Sequence, residues 1–312
     1  MTSSGSDRRG GGAVDRASKA PLTARERRVK RALDRVRARC DVEARRAADP
    51  VDYVHAYARP DDRELVALVA ACVAFGNVKA IRAKLGDLLS RLGPAPALLA
   101  DRPREIRARV RGWKHRVFRG QDVARLLVGA RSVQRTHGSL GALFAAELAR
   151  RGSLREALAA WCDAIRSAGG LRADARRRGP AHLLSDPRGP SGNKRLLLFL
   201  RWMARPGDGV DLGLWTVDPA RLLVPVDVHI HKLSRNLGLT TRAAPSWRAA
   251  EDITRALARF DPADPTKYDF SLCHMGMLQQ CPSRRDAARC EGCGVKPVCV
   301  HWSAPAARGA RS

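Results

Sequence analysis

The stretch from Gly189 to His229 constrains this chain more than any other. A tight turn, Gly189-Pro190-Ser191-Gly192-Asn193-Lys194, runs into the apolar and basic segment Arg195 to Met203. The stretch closes on Val224-Pro225-Val226-Asp227-Val228-His229, just before further helical text. Glycine permits the backbone of a sharp turn and proline stops a helix from running through it, so the chain reverses here and starts a helix near Lys194. A helix start presents free backbone N–H groups, which bind phosphate well. Lys194 and Asp227 are the two groups of the stretch best suited to chemistry.

The lysine stands out against its background. The chain holds 58 Lys and Arg against 31 Asp and Glu, a net charge of +27, and only nine of the 58 are lysine. Arginine supplies charge but does not shed its proton to become a nucleophile. The charge excess has two sources of roughly equal weight: a compositional preference for Arg and Ala, and an anionic partner, of which nucleic acid is the commonest. With no secretory leader at the N-terminus and no apolar run longer than Leu65 to Phe75, the expectation is a cytoplasmic, nucleoid-associated protein with no membrane contact. Eight cysteines in such a compartment point to a metal or redox cofactor before disulfides.

Along the chain the text is helical. Residues 1–22 are rich in Ser, Gly and Arg and are expected to form a disordered basic tail, as is the end, 304–312. Helices are expected from Thr23 to about Ala47, from Pro60 to Gly76-Asn77 as an all-round apolar core helix, and from Val78 to Leu92. More follow at Pro103–Arg111, Gly120–Gln134, Ser139–Arg150, Ser153–Ser167, Val228–Leu237, Ser246–Phe260 and Pro265–Gln279. Arg172 to Pro190 reads as a loop, and Arg176, Arg177 and Arg178 on it as a solvated run sooner than as phosphate contacts. No alternating β pattern and no repeat is present, so the expected class is all-α.

Two short helices joined by a glycine turn grip one nucleic-acid strand without reading its sequence; Ala181–Leu184 and Lys194–Met203 fit that role. The segment resembles the helix-hairpin-helix element of the DNA glycosylase superfamily that includes endonuclease III. There a Leu-Pro-Gly-Val-Gly-x-Lys turn carries the catalytic lysine. Gly192 and Lys194 match its second glycine and its lysine, while Gly189 and Pro190 stand where proline and the first glycine belong. Val226-Asp227-Val228-His229 resembles the superfamily's Val-Asp-Thr-His except at Val228, and Arg235 to Leu239 fits the text that follows. The 33-residue gap between Lys194 and Asp227 (227 − 194) is similar to that of archaeal 8-oxoguanine glycosylases. Lys194–Arg205, Val210–Trp215, Val224–Thr240 and Asp264–Gly276 also resemble the bacterial domain of unknown function 2400, over most of residues 50–280.

The resemblance implies a two-lobed fold: a helical lobe at 61–186, and a lobe joining 23–60 to 187–303. Damaged double-stranded DNA would lie between them, bound by a monomer. Asp227 would stabilise the sugar cation formed as a base leaves, and Lys194 would form a Schiff base. Gly189, Ser191, Gly192, Asn193 and Arg195 would contact DNA, and Phe199, Trp202 and Trp215 would line a base pocket or form plain core. Asp227 also reads as a helix N-cap and Lys194 as a phosphate contact. His229 and His231 read as structural.

Cys281, Cys290, Cys293 and Cys299 form Cys-x8-Cys-x2-Cys-x5-Cys. Four thiolates in one loop suit zinc or a [4Fe–4S] cluster. The spacing resembles the Cys-x6-Cys-x2-Cys-x5-Cys loop of endonuclease III, which favours the cluster and makes Arg284, Arg285 and Arg289 phosphate contacts. Cys40, Cys72 and Cys162 read as small apolar residues, and Cys273 and Met275 as core. The expected activity is removal of a damaged base, an oxidised purine being the suggested target, with strand cleavage. Two alternatives stand beside it: a cluster-bearing protein that binds DNA without cutting, and the same fold acting on RNA or a modified nucleoside.

Overall fold

The computed structural model describes residues 20–173, 176–282 and 284–303. Among these it is all-α, with sixteen helices and one hairpin of two-residue strands. α1 (Ala24–Ala38) opens on a capping box, in which the Thr23 hydroxyl and the Glu26 carboxylate each accept the other residue's backbone N–H. The expected single helix through Ala47 is instead two, because Asp41 caps a new start at α2 (Val42–Ala47). α3 (Asp52–His55) leads into α4 (Pro60–Val73), whose residues from Asp62 onward are buried apart from Arg63. α4 ends before Gly76, and Asn77 caps α5 (Val78–Leu92) through its side chain. α6 (Pro96–Ala100) and α7 (Pro103–Arg109) precede the antiparallel β1 (Lys114–His115) and β2 (Phe118–Arg119).

Then come α8 (Gly120–His137), α9 (Leu140–Arg151) and α10 (Leu154–Gly169), which pack on one another. Glycines set the closeness of the α8–α10 crossing. A Cβ on Gly129 would lie 2.2 Å from the Ile165 carbonyl oxygen, and one on Gly169 2.1 Å from that of Arg125. α11 (Gly179–Leu183) and α12 (Lys194–Ala204) flank the glycine turn. α13 (Val228–Leu237), α14 (Trp247–Ala258), α15 (Asp269–Leu278) and α16 (Val300–Ser303) complete the chain. α15 begins four residues later than its Pro265 expectation.

α4 packs on α8 on one side and on α12 on the other, so it joins the α8–α10 group to the segment carrying the turn. α1 packs on α15 and on the short 3-10 turn Lys296–Val298 of the cysteine loop. The buried Glu64 carboxylate of α4 fastens these parts. Its Oε1 accepts from Gly141 N (3.1 Å) and Trp215 Nε1 (2.6 Å), and its Oε2 from Leu140 N (3.0 Å) and Gln134 Nε2 (2.8 Å).

The expected tail at 1–22 falls outside the described residues as far as 19, and so does 304–312. Pro21 belongs to the fold: its carbonyl accepts from Arg259, 3.4 Å away. Among the described residues no helix is long and apolar enough to cross a membrane.

Candidate active site

The glycine turn is held from three sides. Arg155 of α10 donates to the carbonyls of Pro187 (2.8 Å), Arg188 (3.2 Å) and Gly189 (2.8 Å). Asn193 is buried with φ +50°, the left-handed conformation that Asn tolerates better than most residues. Its side chain accepts from Ser185 Oγ (2.9 Å) and donates to the Ser191 carbonyl (3.0 Å). Gly192 is buried against the Ser246 backbone, with no room for a larger residue unless the neighbour gives. Asn193 therefore braces the turn and does not face outward. Among the described residues no side chain caps α12.

Arg195 corrects the expectation of a DNA contact. Its guanidinium turns inward to the carbonyls of Cys72, Leu183 and His182, tying α4, α11 and α12 together, and burial holds its pKa below the usual arginine value. Arg177 bonds the buried Asp122 at 2.6 Å, so it too is a structural residue and not part of a solvated run.

Asp227 caps α13. Its Oδ1 accepts from His229 N (2.9 Å) and Ile230 N (2.8 Å), and the approach to it is anchored where Val224 N donates to Thr254 Oγ1 of α14 (2.9 Å). The two N–H groups occupy one carboxylate oxygen. The other, Oδ2, receives the Cys273 thiol at 3.5 Å and, among the described residues, nothing else. Asp227 and Lys194 are each half-buried, and among the described residues Lys194 has no ion-pair partner.

Asp227 reaches α15 through the Cys273 thiol. Asp269, fully buried, has its pKa pushed up to about 6, chiefly by burial; Arg201 opposes this, Asp227 adds to it and Lys194 lowers it. The Cys273 thiol is raised by burial and by Asp227 and Asp269, again with Lys194 opposing. Lys194 and Asp227, 33 residues apart in sequence, thus both influence the buried Asp269 and the half-buried Cys273. A cavity of about 330 Å³ lies along α13, lined by Val228, His231, Lys232, Arg235, Asn236 and His301 among others; Asp227 and Lys194 are not among its lining residues.

Behind the centre lies a charge network. Arg201 bonds Asp269 and, at 3.1 Å, Asp211, and Arg205 bonds Asp211 and Asp208 at 2.6 Å and Asp264 at 2.8 Å. Sequence reasoning missed Asp269 and assigned Cys273 to plain core. The available signal was an acid inside the apolar run Tyr268-Asp269-Phe270-Ser271-Leu272, which is costly unless paired.

Phe199, Trp202 and Trp215 are buried. Trp161 and Phe199 pack at 5.5 Å between ring centres, Phe199 and Trp215 edge-to-face at 5.2 Å, and Phe144 and Trp215 at 5.7 Å. These rings form core, and an everted base would have to displace them.

In the cysteine loop, Cys290 and Cys299 are buried and Cys281 and Cys293 half-buried. Burial raises the Cys281 thiol, the Asn236 side chain lowers it, and the other three cysteines raise it further. Cys299 is raised by burial, with a lowering backbone hydrogen bond and further raising by Cys290 and Cys293. Asn236 of α13 donates to Cys281 Sγ at 3.3 Å, and its Oδ1 accepts from His301 Nε2 at 3.1 Å. The four sulfurs therefore lie in mutual electrostatic reach. Among the described residues no three His, Cys, Asp or Glu side chains close on a single metal ion. The donor set still fits a cationic centre, because the cost of gathering four thiolates is what bound cations offset. On the same loop, exposed Arg285 lies 4.2 Å over the Trp302 ring, Arg289 approaches Asp286 at 3.7 Å, and Arg284 is exposed.

The class defined by fold and site is an all-α protein with a lysine at one helix start and an aspartate at another, the aspartate bonded to a cysteine of α15. A family model described as "Protein of unknown function (DUF2400)" matches residues 49–278, and the chain belongs to that family. The match takes in Lys194, Asp227 and Asp269 and ends before the four cysteines. No curated protein and no solved structure matches the chain.

Proposed function

We propose that the protein is a DNA glycosylase with strand-cleaving activity, built on the two-lobed helix-hairpin-helix plan. The observations that support this reading are Lys194 at the start of α12, which no described side chain caps, and Asp227 at the start of α13, whose backbone N–H donors take Oδ1 and leave Oδ2 to the Cys273 thiol. The uncapped N–H groups of α12 hold a strand phosphate. As the glycosidic bond breaks, the base departs with the bonding electrons and positive charge grows on the sugar. Asp227 stabilises it through Oδ2, the oxygen that the α13 N–H groups leave open. The free amine of Lys194 then attacks the anomeric carbon and loses a proton; ring opening gives the imine, and β-elimination breaks the bond to the 3′ phosphate. Oxidised purine is the proposed target. A [4Fe–4S] cluster on Cys281, Cys290, Cys293 and Cys299 would supply a rigid cationic core to the loop that presents Arg284, Arg285 and Arg289.

Borohydride trapping on duplexes carrying a panel of lesions tests the reading. Wild type is expected to give a covalent adduct with at least one lesion, Lys194→Gln none, and Asp227→Asn at least tenfold less. Tight binding without adduct or base release on every lesion would favour a non-catalytic DNA-binding role, and preference for structured RNA over duplex DNA would move the activity to RNA.

A further inference from the structure

α13 keeps one face out of the core. Ile230, Leu233, Ser234 and Leu237 are buried, while Val228, Lys232 and Arg235 follow one another at i, i+4 and i+7 on the face left at least partly open. Val228 is 65 % exposed, an apolar side chain held in solvent one residue after Asp227. Pro245 and, from α16, Val300 and His301 help to complete the cavity of about 330 Å³ along this face. Internal hydrogen bonds fix its walls. His231 Nε2 donates to the Arg242 carbonyl at 3.1 Å, His301 Nε2 to Asn236 Oδ1 at 3.1 Å, and Asn236 Nδ2 to the Pro282 carbonyl at 3.2 Å. Ser246, the residue after Pro245, backs Gly192 of the glycine turn, so one wall continues into the support of that turn.

The charge of the cavity is one-sided. No carboxylate is among its lining residues. Among the described residues, Lys232 and Arg235 have no ion-pair partner and no side-chain hydrogen bond, whereas nearby Arg242 is taken by Asp252 at 2.6 Å. Two cations three residues apart on one helix repel each other. The helix C-terminus eases this for Arg235, which lies in the last turn of α13. An anion seated between the two removes the repulsion, the arginine fork meeting two of its oxygens and the ammonium a third. The volume lies at the small end for ligand sites, which suits a phosphate with its sugar.

We propose that this cavity holds a backbone phosphate of a DNA strand through Lys232 and Arg235, with Val228 against the adjoining sugar. The proposal rests on the reading of the chain as a DNA-binding enzyme and gives it a second grip beyond the start of α12. From Asp227 to Arg235 α13 advances about 12 Å at about 1.5 Å per residue. That is about three to four nucleotides of one strand, so the phosphate held here is a near neighbour of the sugar that Asp227 serves.

The test is binding of a fluorescent, undamaged duplex, followed by anisotropy across a salt series. Replacing both cations, Lys232→Ala with Arg235→Ala, is expected to reduce the slope of log Kobs against log salt by about one, because the pair serves one phosphate. Exchanging them, Lys232→Arg with Arg235→Lys, should keep the wild-type slope. Arg104→Ala with Arg107→Ala on α7 removes the same charge away from the cavity and should keep it too. An unchanged slope in the cavity variant, an equal loss in the α7 variant, or a wild type that binds no duplex at low salt would overturn the proposal. Calorimetry with inorganic phosphate and with a mononucleotide separates the other source of the same chemistry. Saturable binding of either, lost in the cavity variant while the duplex slope holds, would assign the cavity to a small phosphate ester and overturn the strand assignment. A slope loss in a protein that traps no lesion would sink the glycosylase reading and leave the cavity assignment standing; trapping with an unchanged slope would do the reverse.

Discussion

At the scale of the residue, the Glu64 carboxylate makes the clearest case of chemistry dictated by surroundings. Four donors point at it, two to each oxygen, from Gly141, Trp215, Leu140 and Gln134. A neutral amide of the same shape accepts on one side only, so Glu64→Gln turns an NH2 group toward two donors. Mispairing buried groups of this kind costs about 3 kcal/mol. Urea denaturation is expected to show a loss of that order, and a loss below about 1 kcal/mol would mean that the site relaxes or hydrates. The same junction explains Gly141. A Cβ there would sit 2.5 Å from Trp215 Cδ1, so Gly141→Ala is expected to cost about 1–3 kcal/mol by overpacking. Both changes act on the core and leave Lys194 and Asp227 untouched. Trp215 was readable in sequence as pocket or core, and its bond to Glu64, 151 residues away, decides for core.

At the scale of the element, the cysteine loop depends on its neighbours as much as on its spacing. α1 packs against its 3-10 turn, and Asn236 of α13 reaches Cys281. A metal or cluster held by the four thiols would therefore be coupled to α1 and α13, since metal-site free energy is folding free energy. Protein purified without oxygen is expected to contain iron and acid-labile sulfide with visible absorbance. Cys299→Ser should lose both and melt several degrees lower. Zinc without sulfide in the wild type would reassign the centre. The helices themselves were legible where a cap and a period agreed: Val78–Leu92 and Val228–Leu237 fall where the pattern puts them. They were less legible where a turn interrupts the period, as between Arg39 and Asp41, because the Asp41 cap inside helical text competes with continuation.

At the scale of the whole molecule, the net charge of +27 makes any nucleic-acid affinity salt-dependent. Each phosphate neutralised adds about −0.9 to the slope of log Kobs against log salt. Removing one arginine that contacts a phosphate reduces the slope by about one. Arg284→Ala is expected to do so. Arg195→Ala should instead lower the melting temperature, since its guanidinium is spent on three carbonyls inside the fold. Equal slopes for wild type and Arg284→Ala, measured by fluorescence anisotropy, would remove the cysteine loop from the DNA interface. Composition announces the basic character but does not divide the arginines into those that hold the fold and those that face solvent. That division depends on which carbonyls and carboxylates lie within reach once the helices pack.

Sequence alone determined the all-helical class, the turn before α12, the cap before α13 and the clustering of four cysteines. Each follows from interactions between residues a few positions apart, and glycine, proline, cap residues and helical periodicity report these directly. Tertiary structure alone decided that Cys273 of α15 stands beside Asp227, that Asp269 of the same helix pairs with Arg201, and that Arg195 and the three aromatic side chains belong to the interior. Those facts depend on contacts across tens to hundreds of residues, where burial and long-range pairing, with no local signature in the text, select one arrangement of the helices.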